Sequence, residues 1–289
     1  MSDDTPCRRL ILCADDFGLS EGINGAILDL VRQERLTAVS IMAPGPALNL
    51  GAAFLRTLRQ QVDMGVHLTL TGPGLKPLGP MPRLAPNGSF PSLEHLMRLA
   101  ATGKLRPMAD EIALEIARQY DRICQCLNGP PDFIDGHQHV HQLPVIRDHV
   151  VKLARMPRTT PLYVRHGAAP WREVFTMTPR AAVIALYGRR LARMLHRHDL
   201  PTNDALRAVG FVTPKTMPQR MIRALRTPLG QTILYVHPGR VDPALRGLSE
   251  PYLEGRETEY RFLSGNDFNR IINESKITLS RFCWKKKLC

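Results

Sequence analysis

Residues 9–18 read Arg-Leu-Ile-Leu-Cys-Ala-Asp-Asp-Phe-Gly, a nearly continuous apolar run that ends in two adjacent carboxylates. A run with no polar alternation suits a strand buried on both faces, the habit of parallel sheets whose faces are covered by helices. Asp15 and Asp16 would then be desolvated beside one another, which is costly unless a cation neutralises them. A second way out is for one Asp to cap the next helix, but Ser20 can serve as that cap instead.

The chain downstream repeats the pattern. Glu21 to Gln33 carries Ile23, Ala26, Ile27, Leu30 and Val31 at helical spacing, and Ala38 to Met42 reads as a second strand, giving a β-α-β unit. A helix over Ala52 to Gln60 precedes a third strand, Val62 to Leu70, in which His67 is embedded. Further helices are expected over Pro91–Ala101, Ala109–Leu127, Pro144–Arg155, Arg172–His198 and Pro218–Arg226. Strands are expected at Asp132–Asp135, Leu162–Arg165, Thr232–Val236 and Ile277–Phe282. Alternating strands and helices without repeats imply one α/β domain with a mostly parallel sheet. The loop from Gly72 to Gly88, rich in Pro and Gly, is expected to form a lid or a substrate wall.

The densest metal-binding stretch is Asp135-Gly-His-Gln-His-Val-His141. An extended backbone would put His137, His139 and His141 on one face; a helical turn would spread them apart. Asp16, His67 and His137 all fall at or near ends of successive strands, where parallel α/β folds place their chemistry. One carboxylate and two imidazoles from three strand ends match a two-His, one-carboxylate metal triad. His237-Pro-Gly239 ends a later strand in a forced turn, because the residue before Pro avoids the helical region and Gly admits positive φ.

Composition excludes several classes. The 289 residues are 44% hydrophobic and 22% charged, with a net charge of +13. That charge would suit a polyanion or an anionic membrane surface, but the basic residues are scattered and lack interleaved aromatics, so no specific nucleic acid is expected. The run Arg189, Arg190, Arg193 and Arg197 reads as a solvated helical face. Six cysteines without a CxxC pair argue against a zinc ribbon or a disulfide scaffold. The N-terminal Met-Ser-Asp-Asp-Thr-Pro lacks a basic-then-apolar leader, so the expected location is cytoplasmic. No phosphate-cradling loop of the P-loop kind is present.

Taken in order, Ala14-Asp-Asp-Phe-Gly18, Gly65-Val-His67-Leu, Asp135-Gly-His-Gln-His-Val-His141 and His237-Pro-Gly239 resemble the YdjC-like carbohydrate deacetylase family. That group includes chitooligosaccharide deacetylases and deacetylases associated with hopanoid biosynthesis. The resemblance spans about Arg9 to Phe282. It implies a distorted (β/α) barrel related to polysaccharide deacetylases, arranged as a single catalytic domain over 1–289 with a basic tail at 283–289. It also implies one divalent metal ion, magnesium or zinc foremost, and removal of acetyl from an N-acetylated amino sugar, free or lipid-linked.

By motif position the resemblance makes Asp16, His67 and His137 metal ligands, Asp15 the general base and His237 a general acid. Arg165 is expected to line the pocket, and His139 and His141 to orient the ligand or substrate. The chain departs from its relatives at Leu234-Tyr235-Val236, where many carry an acidic residue and a methionine before the His-Pro-Gly turn. The partners expected are an N-acetylated sugar or a glycolipid, with peripheral membrane contact and homo-oligomers left open. Two other readings stand beside this one: a metal-dependent hydrolase of another class, such as a phosphoesterase, and a basic, non-catalytic binding protein.

Overall fold

The computed structural model describes residues 8–284 apart from 73, 176, 227–229 and 249–250. The lysine-rich tail expected at Lys285 to Lys287 lies outside the described residues. In chain order the elements are β1 (Arg8–Phe17), α1 (Glu21–Arg32), β2 (Ala38–Ile41), α2 (Leu48–Thr57), β3 (Asp63–Leu68), α3 (Leu93–Ala101), α4 (Ala109–Leu127) and β4 (Phe133–Gly136). There follow α5 (Ile146–Ala154), β5 (Tyr163–Val164), α6 (Trp171–Val174), α7 (Pro179–Arg197), β6 (Ala205–Ala208), α8 (Met217–Leu225), β7 (Thr232–Val236), α9 (Pro243–Gly247), α10 (Leu253–Ser264), α11 (Asn266–Glu274) and β8 (Ile277–Leu279).

The strands form one all-parallel sheet in the order β5-β4-β3-β2-β1-β7-β6, with β8 beside the start of β1. Its two edges meet. The Val164 N–H donates to the Pro201 carbonyl at 3.0 Å, and Thr202 Oγ1 donates to the Val164 carbonyl at 2.6 Å. One bridge therefore joins β5 to the segment entering β6, and the curled sheet becomes a distorted (β/α) barrel. The bridge covers the short β5 edge, where an unpaired strand would otherwise be open to pairing with another chain.

Alternation along β1 divides the core. Leu10, Leu12 and Ala14 belong to the large cluster under the helices, whereas Ile11 and Cys13 join Ala38, Phe133, Tyr163, Ile233 and Phe282 in a separate cluster inside the barrel. There Tyr163 stacks between Phe133 and Phe282, with ring centroids 5.0 and 4.0 Å away. Phe282 enters because its N–H donates to Asp63 Oδ2 at 2.8 Å while Arg281 Nε bonds Asp63 Oδ1 at 2.7 Å. Gly65 is dictated by this packing, since a Cβ there would lie 2.3 Å from the Phe133 ring.

Helix α1 behaves as its pattern requires. Ser20 Oγ accepts from the Ile23 N–H at 3.3 Å, so neither Asp15 nor Asp16 is used as its cap. The Gly72–Gly88 loop is pinned to α4, where Glu115 accepts from the Leu78 N–H and Glu111 from the N–H groups of Arg83 and Leu84. Strand β6 occupies a segment whose sequence reads as turn-rich. Its side chains are only partly buried, which is why no apolar run marks it. Among the described residues no helix is long and apolar enough to cross a membrane.

Candidate metal and catalytic site

The residues that carry chemistry sit one layer above the aromatic plug, at the carboxyl ends of the strands. Along β1, Asp15 continues the inward parity of Ile11 and Cys13. Asp16 would point away, but its φ is +71°, and the register between β1 and β2 slips between Ala14 and Phe17. This left-handed residue in a bulge turns both carboxylates toward the barrel mouth.

Asp16, His67 and His137 converge. Asp16 Oδ1 lies 3.2 Å from His67 Nε2 and 3.1 Å from His137 Nδ1, and one donor atom from each of the three falls within 4.8 Å of the others. The other ring nitrogen of His67 is fixed: Nδ1 faces Asp135 Oδ1 at 2.6 Å, with Ser40 Oγ 2.9 Å away and donating to the same carboxylate at 2.5 Å. With Nδ1 committed to Asp135, Nε2 is the nitrogen that faces Asp16 and would be the one offered to a metal ion, the usual arrangement behind a metal-binding imidazole.

Two buried arginines hold the aspartates. Arg165 Nη1 and Nη2 donate to Asp15 Oδ1 and Oδ2 at 2.9 and 2.8 Å, and Nη2 also lies 2.9 Å from Asp135 Oδ2. Arg256, from α10, donates to Asp16 Oδ2 at 2.6 Å. Asp16 Oδ1 is thus the oxygen left for the imidazoles.

Burial pushes the Asp15 carboxyl up, but Arg165, with His67 and His237, outweighs it and holds the pKa at about 2. For Asp16, burial is likewise overcome by Arg256 and the two imidazoles, leaving it well below the usual carboxylate range. His67 is raised to about 10: burial opposes its charge, but Asp135 and Asp15 favour it more strongly. Three buried carboxylates face two guanidiniums, and His67 is raised because the carboxylates around it favour a positive charge, a place that a metal ion can take over from the proton. A divalent metal ion fits this charge and this N,N,O donor set.

The histidine cluster adopts neither an extended strand nor a regular α-helix. His137–Gln142 forms a 3-10 segment with Gln138 and His139 at φ +53° and +62°, so the three imidazoles diverge. His137 reaches Asp16, while His139 stands edge-on to Tyr235 with ring centroids 5.4 Å apart. His141 is fully buried, and its Nε2 contacts the Arg165 carbonyl at 2.7 Å. Arg165, expected along the pocket wall, lies instead beneath the site with its guanidinium committed to Asp15 and Asp135. Its carbon also sits 5.3 Å from the Tyr235 ring centroid.

His237 follows β7. Its ring is edge-on to Tyr235 at 5.5 Å and to Tyr252 at 6.1 Å, and its backbone N–H donates to Glu259 Oε2 at 2.5 Å. Burial lowers its pKa from the ordinary value, against the raising effect of Asp16 and Asp15. Burial also raises Glu259 to about 7, even though Tyr252, the His237 N–H and Arg256 favour its charge.

Helix α10 thus supplies Arg256 and Glu259, neither of which the sequence reading selected. Their signal is a pair of charged residues three apart on one helical face, which looks like any solvated stripe until their burial is known. The departure at Leu234-Tyr235-Val236 also acquires a structure, because Tyr235 fills the centre of the mouth between His139, Arg165 and His237.

The family model described as YdjC-like protein matches residues 9–274. A chitooligosaccharide deacetylase of Serratia marcescens is 32% identical over 265 residues, which is 90% of this chain and 98% of that protein. A chitooligosaccharide deacetylase of Enterobacter sp. strain 638 is 37% identical over 147 residues, 51% of this chain and 56% of that one. The fold is shared with a solved Enterococcus faecalis V583 structure whose description proposes a cellobiose-phosphate cleavage protein. That match has a TM-score of 0.75 at 20% identity, over 95% of this chain and 97% of the other. Matched along nearly its whole barrel, and over nearly the full length of the Serratia protein, the chain belongs to the YdjC-like family.

Proposed function

We propose that this protein is a metal-dependent carbohydrate deacetylase, a single catalytic domain that hydrolyses the N-acetyl group of an amino sugar to acetate and a free amine. The observation that carries the reading is the meeting of Asp16 Oδ1 with His67 Nε2 and His137 Nδ1, beside an Asp15 held apart from them by Arg165. The names of the chitooligosaccharide deacetylase relatives support the substrate class.

Asp16, His67 and His137 would hold the ion. When bound, a divalent metal supplies Lewis acidity that polarises an acyl oxygen and lowers the pKa of water. Asp15 is the general base: it is ionised throughout the physiological range, and Arg165 keeps its carboxylate from swinging onto the three ligands. Its low basicity means that a captured proton is passed on readily. His237, whose pKa burial lowers, gives up a proton easily once it carries one and would protonate the departing amine. The attacking water oxygen joins the acyl carbon, the C–N bond breaks, and the amine leaves with that proton. Tyr235, edge-on to both His139 and His237, would form the apolar surface beside the acetyl group.

The test is acetate release from N-acetylated mono- and oligosaccharides with metal-loaded, chelator-treated and reloaded protein. Activity that disappears with the metal and returns with it is the expected result. Activity indifferent to the chelator would overturn the metal role, and absence of acetate from every acetylated sugar would overturn the deacetylase reading.

A further inference from the structure

Helix α7 turns one side inward and leaves the other to solvent. Ala185, Leu191 and Leu195 are buried. Gly188 lets the helix lie close against its neighbours, since a Cβ there would stand 2.5 Å from Gln142 Oε1 and 2.6 Å from the Gly167 carbonyl carbon. The solvent side carries Val183, Leu186, Arg190, Arg193 and Arg197 at spacings of three and four residues, all of them exposed. A groove of about 390 Å³ runs along it, lined by Val183, Leu186, Tyr187, Arg189, Arg190 and Arg193.

The charge on this face is of one sign. Pro179–Arg197 contains no Asp or Glu, and among the described residues Arg190, Arg193 and Arg197 form no ion pair. Arg147, on the neighbouring α5, adds a further guanidinium. Its side chain is only 13% exposed, its Nε and Nη1 are buried without a hydrogen bond, and Asp148 Oδ1 lies 3.7 Å from Nε. Burial lowers the Arg147 pKa, and the charges of Arg190 and Arg193 lower it further against the opposing effect of Asp148. Guanidiniums gathered in this way repel one another unless an anion lies among them.

The apolar and basic halves of the face suit one kind of partner. A soluble phosphate or a nucleic acid would use the arginines but leave Val183 and Leu186 in water. The headgroup layer of an anionic bilayer offers phosphates to guanidiniums and acyl chains to apolar side chains, one beside the other.

We propose that this face of α7, together with Arg147, docks the protein on the surface of an anionic phospholipid bilayer, with Val183 and Leu186 entering the acyl boundary and the arginines binding headgroup phosphates. The proposal is independent of the deacetylase reading, because it uses none of the residues of the metal and catalytic site.

The experiment is co-sedimentation of the full chain with vesicles of phosphatidylglycerol and phosphatidylcholine in equal parts, and with vesicles of phosphatidylcholine alone. The wild type is expected to bind the anionic vesicles and not the neutral ones. Arg190→Gln with Arg193→Gln should weaken that binding about 10–30-fold. Val183→Ser with Leu186→Ser should weaken it about tenfold at unchanged net charge. Both pairs are exposed, so thermal unfolding should match the wild type. Arg32→Gln with Arg98→Gln removes the same charge from α1 and α3 and should alter binding by less than about threefold.

No binding to the anionic vesicles, or binding that both α7 pairs leave unchanged, would overturn the docking face. A control pair as harmful as the α7 arginines would reduce the effect to net charge. Loss in the arginine pair alone would overturn insertion into a bilayer, and calorimetric binding of inorganic phosphate would then identify a soluble-anion site in its place.

Discussion

Arg165 grips Asp15 with both guanidinium nitrogens, Nη1 on Oδ1 at 2.9 Å and Nη2 on Oδ2 at 2.8 Å, in a place where both side chains are almost wholly buried. The fork separates two neighbouring carboxylates by function: Asp15 faces an arginine, and Asp16 faces two imidazoles. Replacing Asp15 by Asn keeps the shape and removes the proposed base. Turnover should fall by about 10²–10⁴-fold while the bound metal, measured by elemental analysis, stays at the wild-type level. Loss of metal in this variant would show that the two aspartates have the opposite roles.

Removing the other half of the fork has a different signature. Arg165→Met leaves Asp15 and Asp135 buried without their cation, a defect that typically costs about 3–5 kcal/mol. Denaturant unfolding should show that loss. With Arg165 gone, burial dominates at Asp15 and its pKa rises, so the acid limb of the kcat/KM profile should move to higher pH. Arg165→Lys restores the charge without the fork and should recover part of the stability but little of the activity.

Arg256 holds Asp16, the proposed metal ligand, from the opposite side, through Oδ2 at 2.6 Å. Without it Asp16 can rotate, and both of its oxygens compete for the imidazoles. Arg256→Met should weaken metal affinity about 10–100-fold, read by metal-binding calorimetry, and activity should recover at saturating metal. An unchanged affinity would reduce Arg256 to a packing role.

The parallel barrel was legible because Leu10 to Ala14, Val39 to Ile41 and Ile233 to Val236 are short apolar runs separated by helical stripes, and burial on both faces leaves that mark in sequence. The mouth was legible in part. His67 and the Asp15-Asp16 pair stand out because polar groups in apolar strands need a reason. The bulge that turns Asp16 inward, the left-handed residues that splay His139 and His141 from His137, and the barrel-closing contact at Thr202 depend on backbone geometry that no spacing rule encodes. Arg256 and Glu259 were hidden because their helix is polar on the outside as well, so the burial of one charged stripe depends on what α10 packs against.

Glu259 makes a prediction about pH. Its pKa in the folded protein is about 7, above the ordinary value of 4.5. A raised carboxyl pKa means that the folded state binds the proton more tightly than the unfolded state does. This contribution to stability is therefore fully present below about pH 4.5 and is lost as pH rises through about 7. Glu259→Gln keeps an oxygen for the His237 N–H, turns an NH2 toward the Tyr252 hydroxyl and does not titrate. Between these limits the wild type should lose about 3 kcal/mol relative to Glu259→Gln, followed by denaturant midpoints at pH 4.5, 6 and 8. Parallel curves would show that Glu259 titrates as an ordinary carboxylate.

The last prediction concerns the floor on which the site rests. Gly65 lies on β3 two residues before His67, and a Cβ at Gly65 would stand 2.3–2.4 Å from three carbons of the Phe133 ring. Phe133 is itself two residues before Asp135, which orients His67, so displacing the ring disturbs both partners of one hydrogen bond. Gly65→Ala should cost about 1–3 kcal/mol by overpacking and lower activity although no site residue has changed. Phe133→Leu alone should cost a comparable amount by leaving a void. Together they should be less damaging than the sum of the two, because the smaller side chain makes room for the added methyl. A double-mutant cycle in denaturant stability, with metal affinity as the second readout, checks this, and strict additivity would mean that the barrel core relieves the clash elsewhere.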